Sequence, residues 1–239
     1  MLISLSILEY ETELSKNLGE MEKTAAFNNI LRLINTGKIH DIHVDVMRPP
    51  MIPRKVKFSI DLLRRLYEAL HGIEPLTIHL MVGDPMEIIN SINDFIYHKD
   101  RESVTIILQV ESFESEDKAI SAIKVIRGFG YRVGVSLNLP TPIEKMTDRI
   151  VDCADLLLIM SVPMGKGGQK FSEEALWRIR HFSTKFPSKI VSVDGGINPK
   201  TIVDVYRAGA KIAVVGSYIT RSKRPELALL DFENALEKC

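Results

Sequence analysis

Cysteine is nearly absent from this chain: Cys153 and Cys239 are the only two in 239 residues. That excludes a disulfide framework, and the pair read as one core thiol and one tail thiol in a reducing compartment. Net charge is absent too, since 31 Lys and Arg balance 31 Asp and Glu. Nucleic-acid binders usually show a basic surplus, so no nucleic-acid partner is expected. Long apolar runs are missing. The opening MLISLSILEYE has no basic leader and is too short in its apolar part for a signal or a spanning helix. A cytoplasmic location and no membrane partner are therefore expected. No linker, low-complexity tract or charge block interrupts the sequence, so 1–239 are expected to form one domain. No glycine-rich turn follows the first apolar run, which passes straight into EYETE. That counts against an open, doubly wound dinucleotide-binding sheet.

What is present is an alternation. Short β-branched runs occupy 2–8, 40–46, 76–82, 103–110, 131–137, 154–160, 189–194 and 211–216. Helical segments fall between them, at about 12–36, 59–71, 85–98, 115–129, 142–150, 172–187, 198–208 and 223–237. In the 172–187 segment Leu176, Ile179 and Phe182 share one side, and Ser172 before two glutamates reads as an N-cap. Asn198 before Pro199 reads as another helix start. Strand and helix alternating at ~25–35 residues imply parallel strands joined by right-handed crossovers. Eight such units in 239 residues fit a single closed (β/α)8 TIM barrel, which needs ~250.

Successive strand residues point to opposite faces. Val44 and Val46 suit the helix side of the second run, which sends His43 and Asp45 toward the barrel axis. The same parity turns His79 and Met81, Gln109 and Glu111, Ser136 and Asn138, and Ser192 and Asp194 inward. Each residue alone also fits a blander role, such as a hydrogen-bonded core histidine or an aspartate closing a strand. Two histidines and two aspartates converging on one barrel end are what point to a metal site, since such groups are costly to bury without partners. The donor set suits zinc, manganese, iron or cobalt without choosing between them. Glycines mark a second constellation: GKGG at 165–168, GG at 195–196 and GS at 216–217 follow the sixth, seventh and eighth runs. Barrels bind phosphate at such turns, where backbone N–H groups approach the anion closely.

At this point the chain resembles the ribulose-phosphate 3-epimerase family. The resemblance rests on SIL (6–8), IHVDVM (42–47), IHLMV (78–82) with Pro85, GVSLN (134–138) with TP (141–142), LIMSV (158–162) with GKGGQKF (165–171), VDGGIN (193–198), and AGA (208–210) with VVGS (214–217). These stretches run in family order from end to end. The resemblance implies an isomerase of carbohydrate metabolism in the pentose phosphate pathway. Such an enzyme inverts C3 of D-ribulose 5-phosphate to give D-xylulose 5-phosphate through an enediolate. It implies that His43, Asp45, His79 and Asp194 bind one divalent metal ion, and that Asp45 and Asp194 are the acid–base pair. Met47, Met81 and Met160 would pack around the reacting carbons. Ser6 falls within the matched stretches, Gly195, Gly196, Gly216 and Ser217 would hold the phosphate, and Gly167 and Gly168 would lie on a covering loop. Self-association into a homo-oligomer is implied as well.

The departures from the family pattern, in the loop at Arg48, Pro49 and Pro50, in the strand-six loop Pro163 to Lys166 and at single positions, include four polar residues: Glu9, Arg48, Gln109 and Lys166. They are expected around the substrate rather than the metal. They leave room for two other readings, an epimerase of a ketohexulose 6-phosphate or a non-catalytic sugar-phosphate-binding barrel. A decarboxylase of the orotidine or keto-gulonate type would need a lysine where Met47 stands.

Overall fold

The computed structural model describes residues 1–238; Cys239, expected as a tail thiol, lies outside the described residues. Eight parallel strands close into a barrel in sequence order. They are β1 (Leu2–Ser6), β2 (Asp41–Met47), β3 (Leu76–Met81), β4 (Val104–Gln109), β5 (Arg132–Leu137), β6 (Leu156–Met160), β7 (Ile190–Asp194) and β8 (Ile212–Val215). Closure comes from β1 pairing with β8, with Leu5 beside Val215. The expected barrel is therefore the observed one.

Two apolar populations follow from strand alternation. One face of each strand packs under the helices, where Val44, Val46, Ile78, Leu80, Val191 and Val193 are buried in one large cluster. The other face fills the axis, where Ile107, Leu156, Leu158, Met160, Val162 and Val214 pack together. The helices show why they start where they do. Ser59 caps Ile60–Leu70 by accepting from the N–H of Leu62. Asp84 caps Pro85–Asn93, and Ser115 caps Glu116–Gly128. Each cap satisfies a donor that the first helical turn leaves without a partner. The Ile60–Leu70 helix buries Leu62, Leu63, Leu66, Tyr67 and Leu70 on one side, the apolar stripe of a surface helix.

The structure differs from the sequence reading in five local respects. The expected helix 12–36 is three pieces, Glu11–Lys16, a 3-10 segment Leu18–Lys23, and Ala25–Ile34. Glu20 leaves helical geometry and Thr24 starts a new helix, its hydroxyl accepting from the N–H of Phe27. Thr147 similarly makes the 142–150 segment a 3-10 turn followed by Asp148–Cys153. Ser172 makes no side-chain cap, since the helix begins at Glu174. That helix buries Ala175, Arg178, Ile179 and Phe182, leaving Leu176 only half-buried. Cys153 is half-buried rather than inside the core. Asn198 does serve the next helix, its side-chain oxygen accepting from the N–H groups of Lys200 and Thr201.

Candidate active site

The C-terminal ends of the strands surround an open cleft. Register puts polar side chains there: Asp45 lies beside His79 across β2 and β3, Ser6 beside His43 across β1 and β2, and Met160 beside Asp194 across β6 and β7. Each lands on the axial face because its neighbours in the strand pack under helices.

One ligand atom from each of His43, Asp45, His79 and Asp194 lies within 4.8 Å of the others. Both imidazoles are wholly buried. Asp45 Oδ1 stands 3.3 Å from His43 Nε2 and 3.3 Å from His79 Nδ1, and its Oδ2 accepts from the Ser6 hydroxyl at 3.0 Å. Neither nitrogen of His43 has a hydrogen-bond partner. Orphaned buried nitrogens are rare in folded proteins and call for an explanation. Two imidazoles and two carboxylates closing on one point fit a divalent cation, which would use those lone pairs.

The electrostatics without a cation agree. Burial pushes Asp194 up to about 7, and the nearby Asp45 charge adds to it. Burial also pushes Asp45 up, but the charge on His43 outweighs it and holds this carboxyl well below the usual carboxylate range. Burial lowers His43, yet attraction to Asp45 prevails and raises it to about 9. Burial dominates at His79, whose pKa is lowered. A proton on His43 thus supplies the positive charge that Asp45 requires. Like-charge carboxylates sharing a buried site separate in this way, one ionised and one protonated.

Asp45 and Asp194 form part of the cleft wall, together with Met47, Met81, Met160 and Ser6. Gly167, Gly168, Gly195, Gly196, Gly216 and Ser217 line it as well. All the expected site residues except the two histidines thus border the cleft directly, and the histidines belong to the carboxylate cluster. Gly196 has φ +63°, and a Cβ there would stand 2.4 Å from the backbone nitrogen of Phe171. Only glycine lets the β7 turn and the β6 loop approach so closely.

The four departures divide. Glu9 and Lys166 border the cleft, whereas Arg48 and Gln109 do not. Arg48 turns away and donates to the carbonyls of Met47, Lys57 and Phe58, bracing its own loop. Gln109 contacts His79 Nε2 at 3.1 Å, beneath the cleft. The expectation that all four surround the substrate is therefore corrected for these two. Glu9 is gripped by Arg221, whose Nε and terminal nitrogen donate to its two oxygens at 3.0 and 2.8 Å.

Sequence reasoning missed Arg221, Lys55 and Ile52. Arg221 stands one turn after Ser217, a spacing that could have marked it. Lys55 donates to the Gly165 carbonyl at 2.6 Å, and Ile52 packs on Gly165. Together they hold the β6 loop over the cleft, a contact between loops far apart in sequence that left no local signal. Asn138, expected inward, fixes the same loop by accepting from the N–H of Met164.

Comparison with known proteins follows the same lines. The profile described as the ribulose-phosphate 3 epimerase family matches residues 21–220. A ribulose-phosphate 3-epimerase of Schizosaccharomyces pombe is 28% identical over 204 residues, covering 82% of each chain. That of Bacillus subtilis is 30% identical, covering 82% of this chain and 86% of its own. That of Treponema pallidum is 32% identical over 74% of this chain and 77% of its own. Among solved structures, KGPDC from Streptococcus mutans superposes with a TM-score of 0.66 at 11% identity, covering 99% of this chain and 97% of its own. The 3-hexulose-6-phosphate synthase of Salmonella typhimurium gives 0.65 at 14%, covering 100% and 99%. At such identities these two speak for the fold alone.

Proposed function

The chain belongs to the ribulose-phosphate 3-epimerase family, and from that premise we propose that it interconverts D-ribulose 5-phosphate and D-xylulose 5-phosphate by proton transfer between Asp45 and Asp194. The observation that carries this reading is the pair of carboxylates that face one cleft from β2 and β7 within a single His/Asp cluster.

Inversion beside a ketone requires removal of a C–H proton from one face and delivery of a proton to the other. Asp45, ionised and steadied by the Ser6 hydroxyl, suits the base. Asp194, whose pKa burial raises to about 7, suits the acid. Their roles exchange in the reverse direction. The two come from strands that are not neighbours in the barrel, which lets them approach the substrate from different sides. Met47, Met81 and Met160 are almost wholly buried and keep water from the reacting carbon. Glycine backbone at 195, 196 and 216, with Ser217, faces the phosphate end, and the β6 loop covers it.

His43, Asp45, His79 and Asp194 would hold one divalent cation. When bound, it supplies a Lewis acid for the negative charge that develops on the substrate oxygens. Zinc, manganese, iron and cobalt all suit the donors. Glu9, a carboxylate at the cleft beside the covering loop, makes the choice between a pentulose and a hexulose phosphate the open part of substrate identity. A cytoplasmic location and self-association accompany the reading, the latter tested by sedimentation of the purified protein.

The direct test incubates metal-loaded protein with D-ribulose 5-phosphate and follows xylulose 5-phosphate, with Asp194→Asn as control. Formation that the control loses supports the assignment. Bound metal without activity would redirect it to other ketose phosphates; neither metal nor activity would favour the non-catalytic sugar-phosphate-binding barrel.

A further inference from the structure

Gln109 is wholly buried, and its side-chain amide has three polar neighbours. One end faces His79 Nε2 at 3.1 Å. The other faces the Ser136 carbonyl at 3.1 Å and Glu111 Oε2 at 2.8 Å. A carbonyl and a carboxylate only accept hydrogen bonds, so the end toward them must be the NH2 group, which has two protons to give. The amide oxygen then faces the imidazole. An oxygen there can only accept, so His79 must carry its proton on Nε2. The other ring nitrogen, Nδ1, is left with a free lone pair, and it is Nδ1 that points at the carboxylate cluster, 3.3 Å from Asp45 Oδ1.

From this geometry we infer that Gln109 is a positioning residue that fixes the tautomer of His79, with Glu111 in turn fixing the orientation of Gln109. The inference deepens the metal-site reading and rests on His79 being a ligand. A histidine ligand needs a bare nitrogen toward the cation and a partner for the other N–H, and losing that partner typically costs about 10–100-fold in metal affinity. An amide in this place does not titrate, so the relay from Glu111 through Gln109 to His79 keeps one polarity across the working pH range. The Glu111 side chain is tied in further, because its Oε1 accepts from the backbone N–H of Asn138 at 3.0 Å. The relay thus begins on a carboxylate anchored to the β5 end and finishes at a ligand atom. Gln109 itself never reaches the cleft, so it acts through His79 alone.

Nitrogen-15 spectroscopy of histidine-labelled, chelator-treated wild-type protein reads the tautomer directly. A protonated Nε2 and a bare Nδ1 at His79 are expected; a proton on Nδ1 would overturn the inference whatever the variants do. Gln109→Leu should mix the two tautomers and raise the manganese or zinc concentration needed for half-saturation about 10–100-fold. Gln109→His should restore both, since an imidazole can donate to Glu111 with one nitrogen and accept from His79 with the other. Unchanged tautomer and unchanged affinity in Gln109→Leu would also overturn it. Failure of wild-type protein to bind either cation would remove the metal reading alone, because the tautomer measurement needs no metal.

Discussion

Replacing Gly196 by alanine tests whether the turn after β7 is as tightly confined as the structure shows. Two penalties are separable. Gly196 has φ +63°, a left-handed conformation that costs an L-residue about 1–2 kcal/mol. The added Cβ would also lie 2.4 Å from Phe171 N, 2.7 Å from Phe171 Cα and 2.9 Å from the Gln169 carbonyl. These are backbone atoms, which cannot swing aside as a flexible side chain would, so overpacking adds roughly 1–3 kcal/mol. The sum is roughly 2–5 kcal/mol, and at about 2–4 °C per kcal/mol for a chain of this size the melting temperature should fall by on the order of 10 °C. Gly37 is the control: its φ is +68°, yet nothing lies within 4 Å of its Cβ position. Gly37→Ala should carry only the conformational cost, a fall of about 3 °C. Thermal melts of both variants decide the matter. Gly196→Ala should also raise KM for the sugar phosphate, because the displaced segment lines the cleft where the proposed function places the phosphate. Equal melting temperatures for the two variants would refute the close contact between the β7 turn and the β6 loop.

Three further outcomes follow from the site. Glu9→Ser should alter the relative kcat/KM for pentulose and hexulose phosphates while changing stability by less than about 1 kcal/mol, since Glu9 is half-buried and its partner Arg221 is exposed; an untouched substrate ranking would exclude Glu9 from that choice. Saturation with a divalent cation at about 100 times its Kd should stabilise the protein by about 2.7 kcal/mol, a rise of about 5–10 °C in melting temperature, and His79→Gln should abolish most of it. The metal-free protein should lose stability between pH 6.5 and 9. His43 is raised to about 9, so its contribution is complete below pH 6.5 and disappears as pH passes that value; Asp194, raised to about 7, binds its proton more tightly when folded and acts in the same direction up to that pH. Melts in chelator at several pH values check this, and a melting temperature that climbs from pH 6.5 to 9 would contradict the charge assignment.

The His/Asp cluster was legible because strand parity is a strict rule. Once Val44 and Val46 face helices, His43 and Asp45 can only face the axis, and the same holds for His79 and Asp194. The barrel itself followed from the strand–helix spacing. Breaks within helices were less legible: the apolar pattern runs on through 12–36, and only Thr24, capping Phe27, marks where a second helix begins. Arg48 was misplaced because a guanidinium beside a predicted site has two possible destinations, and the carbonyls that captured it belong to a loop whose path no periodicity reveals. Gln109 was placed on the inward face correctly, but its task depends on Glu111 and Ser136 meeting it from β4 and β5, a tertiary arrangement. Arg221 and Lys55 escaped notice because their partners, Glu9 and Gly165, are 212 and 110 residues away.

Inversion by two opposed carboxylates is tested most directly by turnover of D-ribulose 5-phosphate in heavy water. Xylulose 5-phosphate carrying one deuterium at C3 is expected from the first turnovers, and no such product from Asp194→Asn. Inverted product that retains the original hydrogen at C3, or undiminished turnover by Asp194→Asn, would contradict it.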